Sequence, residues 1–399
     1  MRKLNKTAAC GILAAALAAG TLSGCSKAID GTKTVATVGD EKVTLGLASY
    51  MVRDQQAQTT SYYNMLMSQY GVSGSASNVW DQKGDDGKTV GESSKDGVMT
   101  TINQLYVLKA HAADYDVTIT DDEEKAIKEA AAEFIKDNDE KILKKLAVSE
   151  DDIVTYLELV TIRSKMHDPM TADVDTEVSA NEKDQTRVTI VKVSTEGTEK
   201  DDDGNTIDLT EEEKAQKKDL AQQVLDKVKA SDDVANADMD ALAKEVDDSL
   251  SATAPAFTTA GSTDDTLDEA VQDAALELKD GEVADSVIEG DDGYYVVRLD
   301  KMLDEDATEN KEKTVISERK SDLFDSTLED WVKEEKIKVK DKVWDQITVT
   351  DSVSFVYKSA DSSDDTESSD AQDSTEDTSS QDNSEDTTTE DTAAEDSAE

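Results

Sequence analysis

Side chains suited to metal, redox or nucleophilic chemistry are scarce in this 399-residue chain, which has two cysteines and two histidines. Cys10 and Cys25 both fall in the first 25 residues, so no thiol remains downstream for a disulfide, a metal or a nucleophile. His111 and His167 lie on different predicted helices without a partner at metal-ligand spacing, and we interpret both as structural or surface residues. The sequence therefore predicts no metal site and no cofactor.

Other sequence signatures of chemistry are missing too. The chain has no Gly-rich phosphate loop, no serine-centred nucleophile elbow and no zinc motif. The stretch DDDGN at 201–205 resembles a calcium loop but lacks the glycine at position six and the terminal glutamate. We interpret it as a solvated turn. Carboxylate pairs are so abundant that none marks a glycosidase-type site.

Positive charge is in short supply, and the formal net charge is −50. The first 25 residues contribute +3 and residues 360–399 contribute −16, which leaves −37 for the middle of the chain. Such acidity argues against nucleic acid and against anionic lipid as direct ligands.

The N-terminus has the features of an export signal. Arg2, Lys3 and Lys6 precede the apolar run AACGILAAALAAGTL, which is too short to span a bilayer as a mature helix. The run leads into LSGC, a lipobox whose cysteine thiol accepts a diacylglyceryl group. We predict that residues 1–25 are a lipoprotein signal peptide and that lipidated Cys25 anchors the protein to the outer face of the cell membrane.

Apolar spacing predicts a mainly helical region after a short hairpin. The hairpin is predicted at Thr34–Val38 and Lys42–Thr44, around Gly39-Asp40. Helices are predicted from Leu45 to Tyr70, through Val98–Tyr115, after the capping box that opens at Thr120, and from Ser149 until Pro169 stops the helix.

The pattern changes after about residue 183. The strand RVTIVKVST, a helix capped at Thr210, a short helix at Asp238–Val246, the stretch ATAPAFTTAG, a helix at Leu267–Leu278 and two final strands give the order β-α-α-β-α-β-β. This is a small α+β domain. A long helix at Asn310–Glu335 and the segment KIKVKDKVWDQITV, anchored by Trp344, end the folded part, and residues 359–399 are predicted to be a disordered acidic tail.

Several of these features together resemble PrsA/SurA-type foldases with a parvulin domain. They are the lipobox, the hairpin VATVGDEKVT that opens a helical region, the small α+β insert, and a long returning helix followed by a Trp-containing strand. The most specific stretch is LDEAVQDAALELKDGEVADSVIEGDDGYYVVRL, which is similar to the C-terminal half of a parvulin domain.

The resemblance implies an α+β protein in which a small parvulin-like domain at 184–303 is inserted into a helical chaperone domain made of 26–180 and 305–350. It also implies positions for the site. Parvulins carry two active-site histidines, and Thr189 and Tyr295 stand at the corresponding places. Phe257, Leu276 and Tyr294 are implied as substrate-binding residues, and SATAPAFTTAGS replaces the usual Gly-rich turn. On strand parity we predict that Thr189 and Tyr295 face the same interior.

By resemblance, the function is that of a membrane-anchored extracytoplasmic foldase that binds unfolded exported polypeptides, with a degenerate peptidyl-prolyl isomerase domain. The resemblance also allows a homodimer through the helical domain. One alternative is an active isomerase with unusual pocket residues, because this reaction breaks no covalent bond and requires only that a twisted amide be bound better than the planar one. Two others are a solute-binding lipoprotein, which requires two α/β lobes, and a purely structural surface protein.

Overall fold

The computed structural model describes residues 16–22, 29–69, 79–198, 200, 206–260 and 267–358. Cys25, the turn at 201–205 and the acidic tail at 359–399, for all of which the sequence supports predictions, lie outside these ranges.

The protein has an α+β fold, as predicted. Its strands in chain order are β1 Leu17–Leu22, β2 Thr34–Val38, β3 Glu41–Thr44, β4 Gln185–Ser194, β5 Ala252–Thr253, β6 Ala256–Thr258, β7 Ile288–Glu289, β8 Gly293–Lys301, β9 Ile337–Val339 and β10 Val353–Tyr357. Its helices are α1 Leu45–Gln69, α2 Val90–His111, α3 Asp121–Asp137, α4 Glu140–Leu146, α5 Glu150–Met170, α6 Ala180–Lys183, α7 Glu211–Lys229, α8 Met239–Lys244, α9 Glu269–Leu276, α10 Glu305–Glu334 and α11 Asp341–Trp344, with short 3₁₀ turns at Ala112–Tyr115 and Val234–Asn236.

The helix starts follow the capping boxes that the sequence contains. Thr120 caps α3, with its hydroxyl accepting from the Glu123 backbone N–H while the Glu123 carboxylate accepts from the Thr120 N–H. Thr210 and Glu213 make the same reciprocal pair at α7. Each box satisfies two backbone donors that a helix start leaves without an intrahelical partner.

The helical region closes around a small sheet with strand order β3-β2-β9. β2 and β3 form the predicted hairpin, with Gly39 at φ +55° in its turn. The other edge of β2 pairs antiparallel with β9, with Ala36 opposite Val339. Long helix α10 packs on α2, so the chain returns to this core after it has built the second sheet.

The second sheet has strand order β5-β4-β8-β7, with β6 also on β4, and all of its pairs are antiparallel. One face packs against α7 and α8, and the other packs against α9. Two apolar clusters therefore lie on opposite sides of the β4–β8 pair.

The structure corrects several predictions made from the sequence. Helix α5 continues through Pro169 to Met170, because a proline in the last turn removes only one helical hydrogen bond. Trp344 ends the short helix α11 instead of lying in a strand. The folded part does not end near 350, since β10 follows and pairs with β1.

The solute-binding alternative requires alternating strands and helices in the first half. Residues 45–170 instead contain the five helices α1 to α5, and no named strand lies in the described part of this range. This region therefore lacks the strands of an α/β lobe.

Candidate functional site

The β4–β8 pair sets which side chains can meet. Its antiparallel register places Lys192 opposite Tyr295, Ile190 opposite Val297 and Thr189 opposite Arg298. Because side chains alternate between the two faces of a strand, Ile190, Lys192, Tyr295 and Val297 share one face.

On this face lies a cleft with a volume of about 500 Å³. Its floor and walls come from β4, β8, the β5 edge, the start of α9 and the turn before β8. The lining residues are Ile190, Lys192, Ser251, Thr253, Leu267, Asp268, Asp291, Asp292 and Tyr295. Three carboxylates and one ammonium group thus surround a small apolar patch.

Tyr295 lies at the centre of the cleft in a compact polar cluster. Its ring is largely buried, and its hydroxyl donates a hydrogen bond to the carboxylate of Asp292. The ammonium group of Lys192 donates to the same carboxylate and lies 6.0 Å from the centroid of the Tyr295 ring. Both donors are therefore directed at one acceptor that belongs to the protein.

Within the cluster, the pKa values of Asp292 and Tyr295 are shifted in opposite directions. Burial acts to raise the pKa of Asp292, but the hydrogen bonds from Lys192 and Tyr295 outweigh it and lower that pKa below its ordinary value. Burial, and then the neighbouring Asp292 carboxylate, raise the pKa of the Tyr295 phenol well above its ordinary value. At neutral pH the Tyr295 phenol is therefore neutral and Asp292 is a carboxylate.

The turn before β8 is fixed by Asp268, which caps α9. One carboxylate oxygen accepts from the Ala270 N–H at 2.9 Å, and the other accepts from the Asp291 N–H at 2.7 Å. Gly290 makes this close approach feasible, because a Cβ there would lie 2.4 Å from the Asp268 oxygen and 2.9 Å from the Tyr295 ring. The glycine thus lets the turn pack directly on Tyr295.

Thr189 does not face this cleft, so the predicted Thr189–Tyr295 pair does not form. The Thr189 hydroxyl donates to a carboxylate oxygen of Asp300 at 2.6 Å and accepts from Arg298 at 3.3 Å, on the opposite face of the sheet. The register pairs Tyr295 with residue 192, and an odd offset of three residues puts position 189 on the other face.

The three predicted substrate-binding residues do not line the cleft either. Tyr294 is buried on the far face against α7, where the Lys218 ammonium group lies 5.4 Å from its ring centroid. Phe257 is completely buried beneath the cleft face, and Leu276 packs at the edge of the same apolar cluster. Phe257 and Leu276 therefore support the site from below.

Sequence reasoning missed Lys192, Asp292 and Asp268. Lys192 had a usable signal, because it continues the alternation of Val188 and Ile190 on an otherwise apolar strand face. Asp292 and Asp268 had none, since aspartates are so common in this chain.

No group of three or more histidine, cysteine, aspartate or glutamate side chains stands close enough to hold a metal ion within the described ranges. His111 stacks on Trp331 with ring centroids 4.1 Å apart, and His167 lies beside Asp168 and Phe324. These contact partners are not among the residues that line the cleft.

A sequence comparison relates this sheet domain to a known family. Residues 199–312 match the profile of the PPIC-type PPIase (rotamase) domain. This segment is therefore similar to a PPIC-type PPIase domain. The match begins after β4 and ends inside α10, so it leaves out the first strand of the second sheet. No curated protein matches the chain.

Solved structures similar to the chain include a PrsA foldase, a PrsA peptidylprolyl isomerase and a SurA-like chaperone. The foldase protein PrsA of Lactococcus lactis is 14% identical, with 78% of this chain and 96% of that chain covered, at a TM-score of 0.31. PrsA of Bacillus cereus is 19% identical, with 66% and 94% covered, at 0.29. A SurA-like chaperone of Campylobacter jejuni is 10% identical, with 77% and 98% covered, at 0.24. At these TM-scores the likenesses decide neither fold nor function.

In the part of the chain that the structure describes, no helix combines the length and the apolarity needed to cross a membrane.

Proposed function

We propose that the protein is an extracytoplasmic foldase that is anchored through Cys25 and binds unfolded exported polypeptides, and that its PPIase domain has lost most or all of its catalysis. The observation that carries the proposal is the polar cluster at Tyr295 inside a PPIC-type PPIase domain. The lipobox at Leu22–Cys25 supports the anchor from sequence alone.

The cleft offers a twisted amide little stabilisation. Isomerisation has to overcome a barrier of ~20 kcal/mol, and an enzyme lowers it with groups that interact better with the twisted amide than with the planar one. Here the Tyr295 hydroxyl and the Lys192 ammonium group already donate to Asp292. A proline peptide would have to break the Tyr295–Asp292 bond before the phenol could donate to it.

Client binding is supported by an exposed apolar surface at the end of α1. The first half of this helix is buried, whereas Tyr62 and Met65 near its end are 57% and 61% exposed. Tyr63 and Met67 lie beside them and are also exposed. Aromatic rings and flexible methionines suit a surface that binds varied apolar segments.

The test is to run two assays on the chain that begins at residue 26. We expect it to suppress aggregation of a denatured client and to leave proline isomerisation, measured by a protease-coupled peptide assay, at the uncatalysed rate. The double variant Tyr62→Ser/Met65→Ser should weaken aggregation suppression. Ile207→Ser/Leu303→Ser, which removes two other exposed apolar side chains, is the matched control.

An active isomerase is the second candidate, and the PPIC-type match favours it. A rate well above the uncatalysed one that falls in Tyr295→Phe would establish this candidate and overturn the degenerate assignment. If the protein leaves client aggregation unchanged, the foldase proposal fails and a structural surface role remains.

A further inference from the structure

Strand β1 is an extended segment held in a built site. It pairs antiparallel with β10, with Leu17 opposite Tyr357, Ala19 opposite Phe355 and Leu22 opposite Val353. The Leu17 side chain is buried in the same apolar core as the helices. Burial of a leucine side chain is stabilising, so β1 is bound through a side chain as well as through its backbone.

The other partner of the two-stranded sheet, β10, is fixed independently of β1. Helix α1 holds it through three contacts. The Gln56 side chain donates to the Val353 carbonyl at 2.7 Å, and the Tyr357 hydroxyl donates to Asp54 at 3.0 Å. The Arg53 guanidinium lies 5.1 Å from the centroid of the Phe355 ring. These contacts hold β10 on helix α1 and do not involve β1.

Asn138 completes the site with a fixed acceptor for a backbone N–H. It is 5% exposed, and its Nδ2 donates to the Phe134 carbonyl at 2.7 Å. This bond orients the amide so that Oδ1 accepts from the Leu17 N–H at 2.9 Å. A contact to backbone does not depend on the identity of the side chain, so it suits any extended segment.

β1 lies within the predicted signal peptide, which processing at the lipobox would remove before Cys25. The processed chain would then keep β10 without its strand partner in this sheet, an open site for Leu17, and an Asn138 oxygen that has lost its donor. An unpaired strand edge accepts a further strand through backbone hydrogen bonds. A segment that enters the groove and donates a backbone N–H to Asn138 restores this hydrogen bond.

We propose that the β10 edge, the Leu17 site and Asn138 form a client-binding groove for extended segments with small and aliphatic side chains, and that residues 17–22 fill this groove until the signal peptide is removed. The occupant's chemistry is taken from the segment seated there, since Leu17, Ala18 and Ala19 are small or aliphatic. This inference rests on the proposed foldase function, because it assigns a client-binding site to it.

Before processing, residues 17–22 of the same chain occupy the groove and block it. Residue 17 is tethered to the same chain, so its effective concentration at the groove reaches the millimolar range that short tethers give. A client segment of micromolar affinity competes poorly against it. The groove thus becomes available together with the mature N-terminus.

The experiment uses a fluorescent peptide with the sequence of residues 14–24, AAALAAGTLSG. It is titrated into the chain that begins at residue 26 and into the full chain with Cys25→Ser, which keeps its signal peptide. We expect binding to the shorter chain and at least 10-fold weaker binding to the full chain. A peptide with aspartate in place of Leu17 should not bind.

A change in the peptide tests Asn138 and leaves the protein unaltered. N-methylation at Leu17 removes the N–H that Asn138 accepts, and we expect affinity to fall on the order of 10-fold because a buried acceptor loses its partner. The same peptide methylated at its first residue is the control. Loss of affinity in the first peptide but not in the control supports the groove.

Three results would overturn the inference. The first is no binding of the unmethylated peptide to the shorter chain at concentrations up to about 1 mM. The second is equal binding to both chains, and the third is dimerisation of the shorter chain through β10. The aggregation assay separates the two proposals. Suppression without peptide binding removes the groove and keeps the foldase, whereas peptide binding without suppression removes the foldase and keeps the groove.

Discussion

The two faces of the β4–β8 pair carry similar chemistry in opposite surroundings. On the cleft face, the Lys192 and Asp292 side chains form an ion pair in which they are 36% and 43% exposed. On the other face, Arg298 and Asp300 form an ion pair in which they are 10% and 20% exposed. A cation, a carboxylate and a hydroxyl meet on both faces, so residue type alone does not distinguish a site from a structural cluster.

On the buried face, Arg298 connects the segment 234–237 to the sheet. Besides Asp300, the Arg298 guanidinium donates to the carbonyls of Val234 and Ala237, at 3.3 and 2.8 Å. These contacts connect the segment 234–237 to the strand pair. On the cleft face, Lys192 donates to the neighbouring carboxylate of Asp292, and both side chains line a cleft of about 500 Å³.

The largest expected difference between the faces is in stability. Arg298→Met leaves the partly buried Asp300 carboxylate without its cation, and we expect the free energy of unfolding in urea to fall by about 3 kcal/mol. Lys192→Met is the matched control on the cleft face, where solvent screens the pair, and we expect a loss of less than about 1 kcal/mol. Equal losses in the two variants would contradict the contrast between the faces.

A smaller effect on stability is expected for a substitution at Thr189, and it tests whether this residue is structural or belongs to the cleft site. Thr189→Val keeps the shape but removes the hydroxyl that bonds Asp300 and Arg298, so we expect a loss of about 1–2 kcal/mol in urea unfolding. Binding of proline peptides in the cleft should not change. Thr189→Ser retains the hydroxyl and is the control. Altered peptide binding in the valine variant would return Thr189 to the site.

The smallest effect is a pH dependence at Asp292. Its pKa is lowered in the folded protein, so its contribution to stability is present above the ordinary aspartate pKa of 3.8 and is lost as pH falls through the lower folded value. We expect Asp292→Asn to be less stable than the parent at pH 7 by a few tenths of a kcal/mol. The two should converge near pH 3 in urea unfolding.

Asp291→Asn removes a neighbouring charge and serves as the control, because Asp291 contacts Asp268 through its backbone N–H. If the gap between the parent and Asp292→Asn stays constant from pH 7 to pH 3, then the ion pair with Lys192 does not stabilise the fold.

The sequence was sufficient for what local patterns determine. Helical spacing and the boxes at Thr120 and Thr210 predicted α3 and α7. These features depend on residues that are close in the chain.

What failed depends on the register between distant segments. Alternation within β4 and within β8 says nothing of how one strand is aligned with the other, and a shift of one residue exchanges the faces. Thr189 was therefore placed with Tyr295, although the register pairs Tyr295 with Lys192. The β1–β10 pair was missed for the same reason, since more than three hundred residues separate its strands.

The pairing of β2 with β9 affects the order in which the parts of the protein fold. Ala36 lies opposite Val339, so the three-stranded sheet of the helical region stays incomplete until nearly the whole chain has been synthesised. The entropic cost of closing a loop grows only slowly with its length, but a contact between segments this distant in the chain still delays folding. We therefore expect the helical core to close only after all residues of the second sheet are available.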